Sequence, residues 1–385
     1  MENFEGRINS KLPGEATSIF VVMSQMAARH KALNLSQGFP DFDVSPKLIE
    51  LVDHYMKEGM NQYAPMTGLE ILRKQIVKKV KDMYGVEYDH QKEINITAGA
   101  TQAIFTAISA MIREDDEVIL LEPAYDSYAP SVKLNSGRVK YCKLKYPGFG
   151  IDWEQMTAQI SHRTKMIVIN TPHNPAGSIL SKADMERLEK ITKNTEIVVL
   201  SDEVYEHLIY EGKEHWGACR FPGLARRSFV VGSFGKTFHA TGWKMGYVLA
   251  PEKLMAEFRK AHQFVVFACN TPVQYAIADF LKYKRNYTGV SRMYEKKRDY
   301  FTNLLKKSRF RIIPSYGTYF QLVDYSEISD VQDMDFAEML VKEHGIASIP
   351  LSPFYSQPNN LRLLRLCFAK KEETLKKAAD ILCRI

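Results

Sequence analysis

Short apolar runs rich in β-branched residues recur along the chain, each ending in turn-forming residues and each followed by a stretch with helical spacing. The clearest are INIT at 94–97, EVILL at 117–121, KMIVIN at 165–170, EIVVLS at 196–201 and SFVVGS at 228–233. Near-continuous apolar runs of this length suit strands covered on both faces, and segments 101–113, 181–193 and 251–267 carry a helical period between them. Their alternation predicts an α/β layered fold around a mostly parallel sheet. Local punctuation adds helix ends. Ser45 reads as an N-cap with Pro46 at the first helical position. Thr67 and Glu70 read as a capping box, and Gly85 as the stop of that helix.

The rhythm changes near the C-terminus. A long amphipathic segment over 286–307 leads into RFRIIP, GTYFQLVDY, a helix over 333–344, IASIP and LRLLRLCFA. Strand-rich sequence with flanking helices predicts a smaller α+β unit. The first 44 residues do not continue the βα alternation and are expected to pack on or near it.

Composition narrows the class. The 385 residues are 45% hydrophobic and 25% charged, enough for two sizeable cores. Subtracting 45 acidic from 52 basic residues leaves a net charge of +7. The basic runs Lys78-Lys79 and Lys296-Lys297-Arg298 fall within helical patterns without aromatic interleaving. They are expected to be solvated helix faces, with no nucleic-acid patch. The five cysteines are scattered, with no C-x-x-C pair, which predicts a reducing compartment. The first 18 residues lack the pattern of a signal peptide, and no apolar run reaches the length of a membrane span. The expectation is a soluble cytoplasmic protein.

The segment SFGKTFHATGWKMGY at 233–247 places two lysines eight residues apart. Its GKT does not end a P-loop, because position 230, where the loop needs glycine, is Val. G-x-G-x-x-G and H-E-x-x-H are absent, and the cysteines and histidines lack zinc spacing, so no metal is expected. What remains is an amine at the end of a strand, and ligands of parallel sheets bind at strand carboxyl ends. Lys236 follows SFVVGS; Asp202, with Tyr205 three residues on, follows EIVVLS; Asn174 follows KMIVIN; AGATQ at 98–102 follows INIT; EPAYDSY at 122–128 follows EVILL. Each alone has a plain structural reading, as an N-cap, a surface lysine or a core tyrosine. Together at one sheet edge they match the needs of pyridoxal phosphate. An amine (Lys236) would hold the aldehyde, and a carboxylate (Asp202) would keep the ring nitrogen protonated. The AGATQ helix start, Ser233 and Lys244 would take the phosphate, and Tyr125 would stack on the ring.

The chain resembles the fold type I, class I/II aminotransferases, and within them the kynurenine and methionine aminotransferases. The resemblance rests on NLSQGFPDF (34–42), NQYAPMTGLEILR (61–73), ITAGATQAIF (96–105), EPAYDSYAP (122–130), NTPHNPAG (170–177), SDEVYEHL (201–208), SFGKTFHATGWKMGY and LRLCFAKKEETL (364–375). It implies a three-layer α/β sandwich with a seven-stranded, mostly parallel sheet over 45–285, and a smaller α+β domain made of 1–44 and 286–385. It makes Lys236 the cofactor lysine and Asp202 the partner of the pyridine nitrogen. Tyr205 and Asn174 fall to the phenolic oxygen, and Ser233, Lys244 and the backbone of Ala100 and Thr101 to the phosphate. Lys244 stands where many relatives carry arginine, and it would act as a point charge. Tyr125 stacks on the ring. Arg365 clamps the substrate carboxylate with help from Asn174 and the Gly38 backbone. Tyr63 matches a tyrosine that reaches the partner subunit's site, which implies a homodimer with shared active sites. Ala176 replaces the threonine of the commoner NPTG, with no expected loss of chemistry.

The expected reaction moves an α-amino group from an amino acid to a 2-oxo acid. Elimination of a thiol from cysteine conjugates is the alternative within the same cofactor chemistry. The motif segments near the substrate contain no second arginine and offer Ile19, Phe20, Phe39, Tyr63 and Tyr125. That surface predicts methionine and aromatic donors, with histidine and kynurenine in the same class, and aspartate poor. Arg292, close to the domain junction, is the residue that would reverse this expectation.

Overall fold

The computed structural model describes residue 6, residues 8–357 and residues 359–385. A seven-stranded sheet forms the centre, in the spatial order Ile94–Thr97, Gly246–Leu249, Ser228–Ser233, Val198–Asp202, Thr164–Asn170, Glu117–Glu122, Arg138–Lys143. Gly246–Leu249 runs antiparallel to both neighbours, and the other pairs are parallel. All five runs picked out by hydrophobicity lie in this sheet. The other two strands have evident reasons for escaping notice. Arg138–Lys143 is an edge strand with only Cys142 fully buried, so it needs no apolar run. Gly246–Leu249 is four residues long and merges into the preceding turn.

Helices Ala100–Met111, Lys182–Thr192 and Glu252–Val265 cover the sheet close to where the spacing put them. Ser181 and Asp184 form a full capping box on the second of these. The helix Pro46–Lys57 does start after Ser45, but the serine side chain caps nothing. The Thr67/Glu70 capping box does not form. Gly68 has φ +90°, and a Cβ there would lie 2.1 Å from Ile96 Cγ1, so the chain turns at Gly68 and the helix starts at Glu70. Glu70 then pairs with Lys74 at 2.7 Å, and Gly85 ends the helix in the left-handed region at φ 70°.

The basic runs are not simply solvated. Lys79 is buried, with Nζ 2.5 Å from Glu206 Oε1. Arg298 is buried too, donating to the Ser315 carbonyl at 2.6 Å and to Glu211 at 3.0 Å. Helical spacing shows which residues share a face; it does not show that another element brings a carboxylate to meet that face.

The C-terminal region forms a four-stranded antiparallel sheet in the order Ile349–Pro350, Leu363–Cys367, Phe320–Asp324, Arg311–Ile312. From the N-terminal segment, Leu33–Asn34 pairs in parallel with Ile346–Ala347 as a separate two-stranded sheet, and the Cys367 N–H donates to the Leu35 carbonyl at 2.8 Å. This lays residues 36–38 beside the strand that carries Arg365. Among the described residues no helix is long and apolar enough to cross a membrane.

Candidate active site

The carboxyl ends of the sheet strands open into a cavity lined by Ala100, Thr101, Tyr125, Asn174, Asp202, Tyr205, Ser233, Lys236 and Lys244, closed on the other side by Phe20, Gly38 and Arg365. The geometry at each end differs.

At the inner end, Asp202 is the last residue of its strand and is 4% exposed. Tyr128 Oη donates to Asp202 Oδ2 at 2.5 Å, and the Val204 N–H donates to Oδ1 at 3.3 Å. Burial raises the Asp202 carboxyl to about 6, and the Tyr128 bond, which favours the anion, works against that rise. Lys236 sits in the single turn Phe234–Thr237 after the Ser228–Ser233 strand. Its Nζ reaches the Gly38 carbonyl at 3.5 Å and lies 5.7 and 5.6 Å from the ring centres of Tyr205 and Tyr319. Burial lowers its ammonium to about 8.

One side of this end is built for an anion. Helix Ala100–Met111 begins at Gly99, at φ 81°, with no side chain capping its first turn. Lys244 is held at φ 53°, and a Cβ on Gly99 would lie 3.6 Å from Lys244 Nζ. Free helix N–H groups, the Ser233 hydroxyl and an ammonium therefore line one side of the cavity.

At the outer end Arg365 is 1% exposed. Nη1 donates to Asn174 Oδ1 and Nη2 to the Ser36 carbonyl, both at 2.8 Å. Its guanidinium lies 3.8 Å from the Phe320 ring centre and 4.9 Å from that of Phe20. Burial pulls its basicity down, and the chief electrostatic neighbours are tyrosines and Cys367 rather than a carboxylate. Arg365 Nε is buried without a partner among the described residues. A buried guanidinium with an open donor is ready for a carboxylate from outside.

Some expected residues stand elsewhere. Ile19 is in the core, because neighbouring helical positions point about 100° apart and Phe20 takes the cavity side. Phe39 is 46% exposed and lines another surface, its carbonyl bound by Lys370. Arg292 is exposed and lies outside the cavity lining. Tyr63 is 83% exposed and packs edge-on against Phe267, away from this chain's own cavity. Residues not singled out by sequence are Tyr128 and Tyr319, whose hydroxyl donates to the Gly38 carbonyl. Both lie within quoted runs, but buried tyrosines in such runs read as core.

The family model for aminotransferase class I and II matches residues 30–382. The chain belongs to the class I and II aminotransferases. It is 47% identical to the methionine aminotransferase of Escherichia coli, with 96% of each chain aligned. A solved structure of an Escherichia coli protein described as having a methionine aminotransferase function superposes with TM-score 0.96 at 46% identity, covering 98% of this chain and 100% of that one. A probable N-succinyldiaminopimelate aminotransferase of Mycobacterium tuberculosis is 34% identical over 96% of each chain. Human kynurenine–oxoglutarate transaminase 1 is 31% identical over 95% of each. This aminotransferase uses pyridoxal phosphate, and its cavity fits that group: a depressed amine, a buried carboxylate, and an uncapped helix start under a lysine. Its substrates are amino acids and 2-oxo acids.

Proposed function

We propose that this aminotransferase takes amino groups from large uncharged L-amino acids, methionine and the aromatic amino acids first, with histidine and kynurenine in the same class. The observation that carries this reading is that, among the described residues, Arg365 is the one arginine lining the cavity. The other cations there, Lys236 and Lys244, lie at the cofactor end. Phe20, Tyr125 and Phe320 line the outer end together with the uncharged Gln37. A second carboxylate, as in aspartate, would be desolvated there without a partner, at a cost of roughly several kcal/mol.

When bound, pyridoxal phosphate supplies an aldehyde carbon to carry the amino group and a cationic ring to take up electron density. Lys236 Nζ would hold the cofactor's aldehyde carbon and would be the group to take the proton from the substrate Cα. An amine near 8 is partly neutral at physiological pH and so is suited to that transfer. Asp202 would keep the ring nitrogen protonated, with Tyr128 aiming its carboxylate. Tyr205 and Asn174 would donate to the phenolic oxygen. The Ala100 and Thr101 N–H groups, Ser233 and Lys244 would hold the phosphate. Arg365, set by Asn174 and Ser36, grips the substrate carboxylate beside the Gly38 backbone, and Phe20 with Tyr125 borders the side chain.

The exposed Tyr63 and Phe267 support a homodimer in which Tyr63 completes the partner's cavity. The division into bodies 45–285 and 1–44 with 286–385 goes with this reading, and the five free cysteines support a cytoplasmic location. Comparing kcat/KM for methionine, phenylalanine and aspartate, each with several 2-oxo acids, tests the substrate class. Methionine and phenylalanine should lead. Aspartate ahead by about tenfold would sink the proposal, since that ratio needs a distal-carboxylate partner.

A further inference from the structure

Helix Ile19–Arg29 delivers Phe20 to the cavity, and its first turn is tied in an unusual way. Ser18 occupies the N-cap position, yet its hydroxyl makes no cap bond to its own helix. Instead Ser18 Oγ donates to Asp126 Oδ2 at 2.5 Å. Asp126 directly follows Tyr125, which lines the cavity. A second tie lies on the other side of the same turn: Gln37 Nε2 donates to the Phe20 carbonyl at 2.8 Å, and Gln37 precedes Gly38. Phe20 is thereby fixed against Tyr125, at 6.2 Å between ring centres, against Phe354, at 5.8 Å, and over the Arg365 guanidinium.

The capping bond that Ser18 forgoes is a local source of stability. Asp126 is partly buried, and burial raises its carboxyl above the usual range, with the Ser18 hydroxyl and the Arg365 field working against that rise. The geometry points to Ser18 and Asp126 as a specificity-determining latch. It positions Phe20 as the wall that large donor side chains pack on, without either residue touching the reacting atoms. This inference rests on the substrate class proposed above.

The latch is a contact made through Phe20 to the substrate side chain. Its loss should therefore fall on large substrates and spare both the chemistry and the cofactor. Ser18→Ala and Asp126→Asn should each raise KM for methionine by roughly tenfold, the scale of one charge-assisted hydrogen bond, with kcat changed far less. The methionine-to-alanine ratio of kcat/KM should fall with it, because alanine does not reach the wall. Ser18→Thr, which keeps the hydroxyl, should restore the ratio. The cofactor dissociation constant, read by absorbance titration, should stay unchanged in all three. Glu15→Ala is the control, since Glu15 and Lys133 form a neighbouring ion pair whose two side chains are 34% and 42% exposed. It should leave the ratio alone. An effect from Glu15→Ala as large as from Ser18→Ala would overturn the latch in favour of general loosening of the N-terminal segment. An unchanged ratio in Ser18→Ala and Asp126→Asn, with a fall in Phe20→Ala, would overturn the latch and leave the substrate class standing. No fall in Phe20→Ala either would overturn both.

Discussion

Two lysines lie on opposite sides of segment 202–206, each among tyrosines, and they are held in opposite ways. Lys79 reaches through from helix Glu70–Tyr84 and meets Glu206 at 2.5 Å and Tyr247 Oη at 2.7 Å. Glu206 also accepts from Tyr84 at 2.7 Å and Tyr247 at 2.6 Å. Burial pushes the Glu206 carboxyl up, but Lys79 and these donors outweigh it and hold it far below the usual range. Lys236, on the cavity side, has a single hydrogen bond among the described residues, to a carbonyl at 3.5 Å, and burial brings it to about 8. The chain alternates between the two sides: Asp202 and Tyr205 line the cavity, while Glu203 and Glu206 turn away, Glu203 toward His215 at 2.7 Å and the Ala218 N–H at 2.8 Å. A buried cation whose partners are all present serves the architecture. Lys236, partly buried and without a paired carboxylate among the described residues, is kept near its titration point, which is the character the proposed function asks of it.

Replacing each lysine in turn should separate the two kinds of site. Lys236→Ala should lower kcat/KM by on the order of 10⁴ with the far-ultraviolet circular dichroism unchanged, because the proton carrier is gone and the framework is not. Near-native turnover would erase the distinction. Lys79→Ala should instead lose about 3–5 kcal/mol of stability in urea titration, because Glu206 is left as an unpaired buried charge. Adding Glu206→Leu to Lys79→Met should recover most of it, and a loss below about 1 kcal/mol in Lys79→Ala would mean that the pair is solvated after all.

The pH dependence sharpens the contrast. An amine whose folded pKa is lowered costs stability at pH values below that pKa, where it is charged in both states but desolvated only in the folded one. The cost fades as pH rises from about 8 and is gone above 10.5. Cofactor-free Lys236→Met should therefore be more stable than cofactor-free wild type by roughly 3 kcal/mol at pH 7, with the gap closing toward pH 10.5. A gap constant with pH would mean that Lys236 is not desolvated. The smallest effect belongs to Lys244, which is exposed and stands beside the helix start. Lys244→Ala should weaken cofactor binding by about 1.5–3 kcal/mol without abolishing it; unchanged affinity would assign the phosphate to the helix and Ser233 alone.

Much of the inner end was legible because its residues follow apolar runs directly. Asp202, Asn174 and Lys236 each sit at or just past a strand end, and parallel neighbours bring strand ends together whatever the helices between them do. The outer end was harder to read. Arg365 lies 129 positions beyond Lys236 (365 − 236) in a different sheet, and only the motif resemblance singled it out. Ile19 and Phe20 look equivalent in sequence, and the helix phase that separates them depends on where the first turn is tied. Tyr128 and Tyr319 look like core tyrosines until their hydroxyls are located.

The sequence by itself determined the layered α/β order, five of the seven strands of the large sheet and the strand-end positions of the candidate amine and carboxylate, because hydrophobic period and strand-end position are local properties of the chain. The tertiary structure alone decided which charges are paired. Lys79 sits in a basic helical run and Lys236 in a turn after a strand, and neither local context shows whether a distant segment brings a carboxylate within reach. Coulomb attraction and desolvation depend on distances across the fold, and no pattern along the chain records those distances.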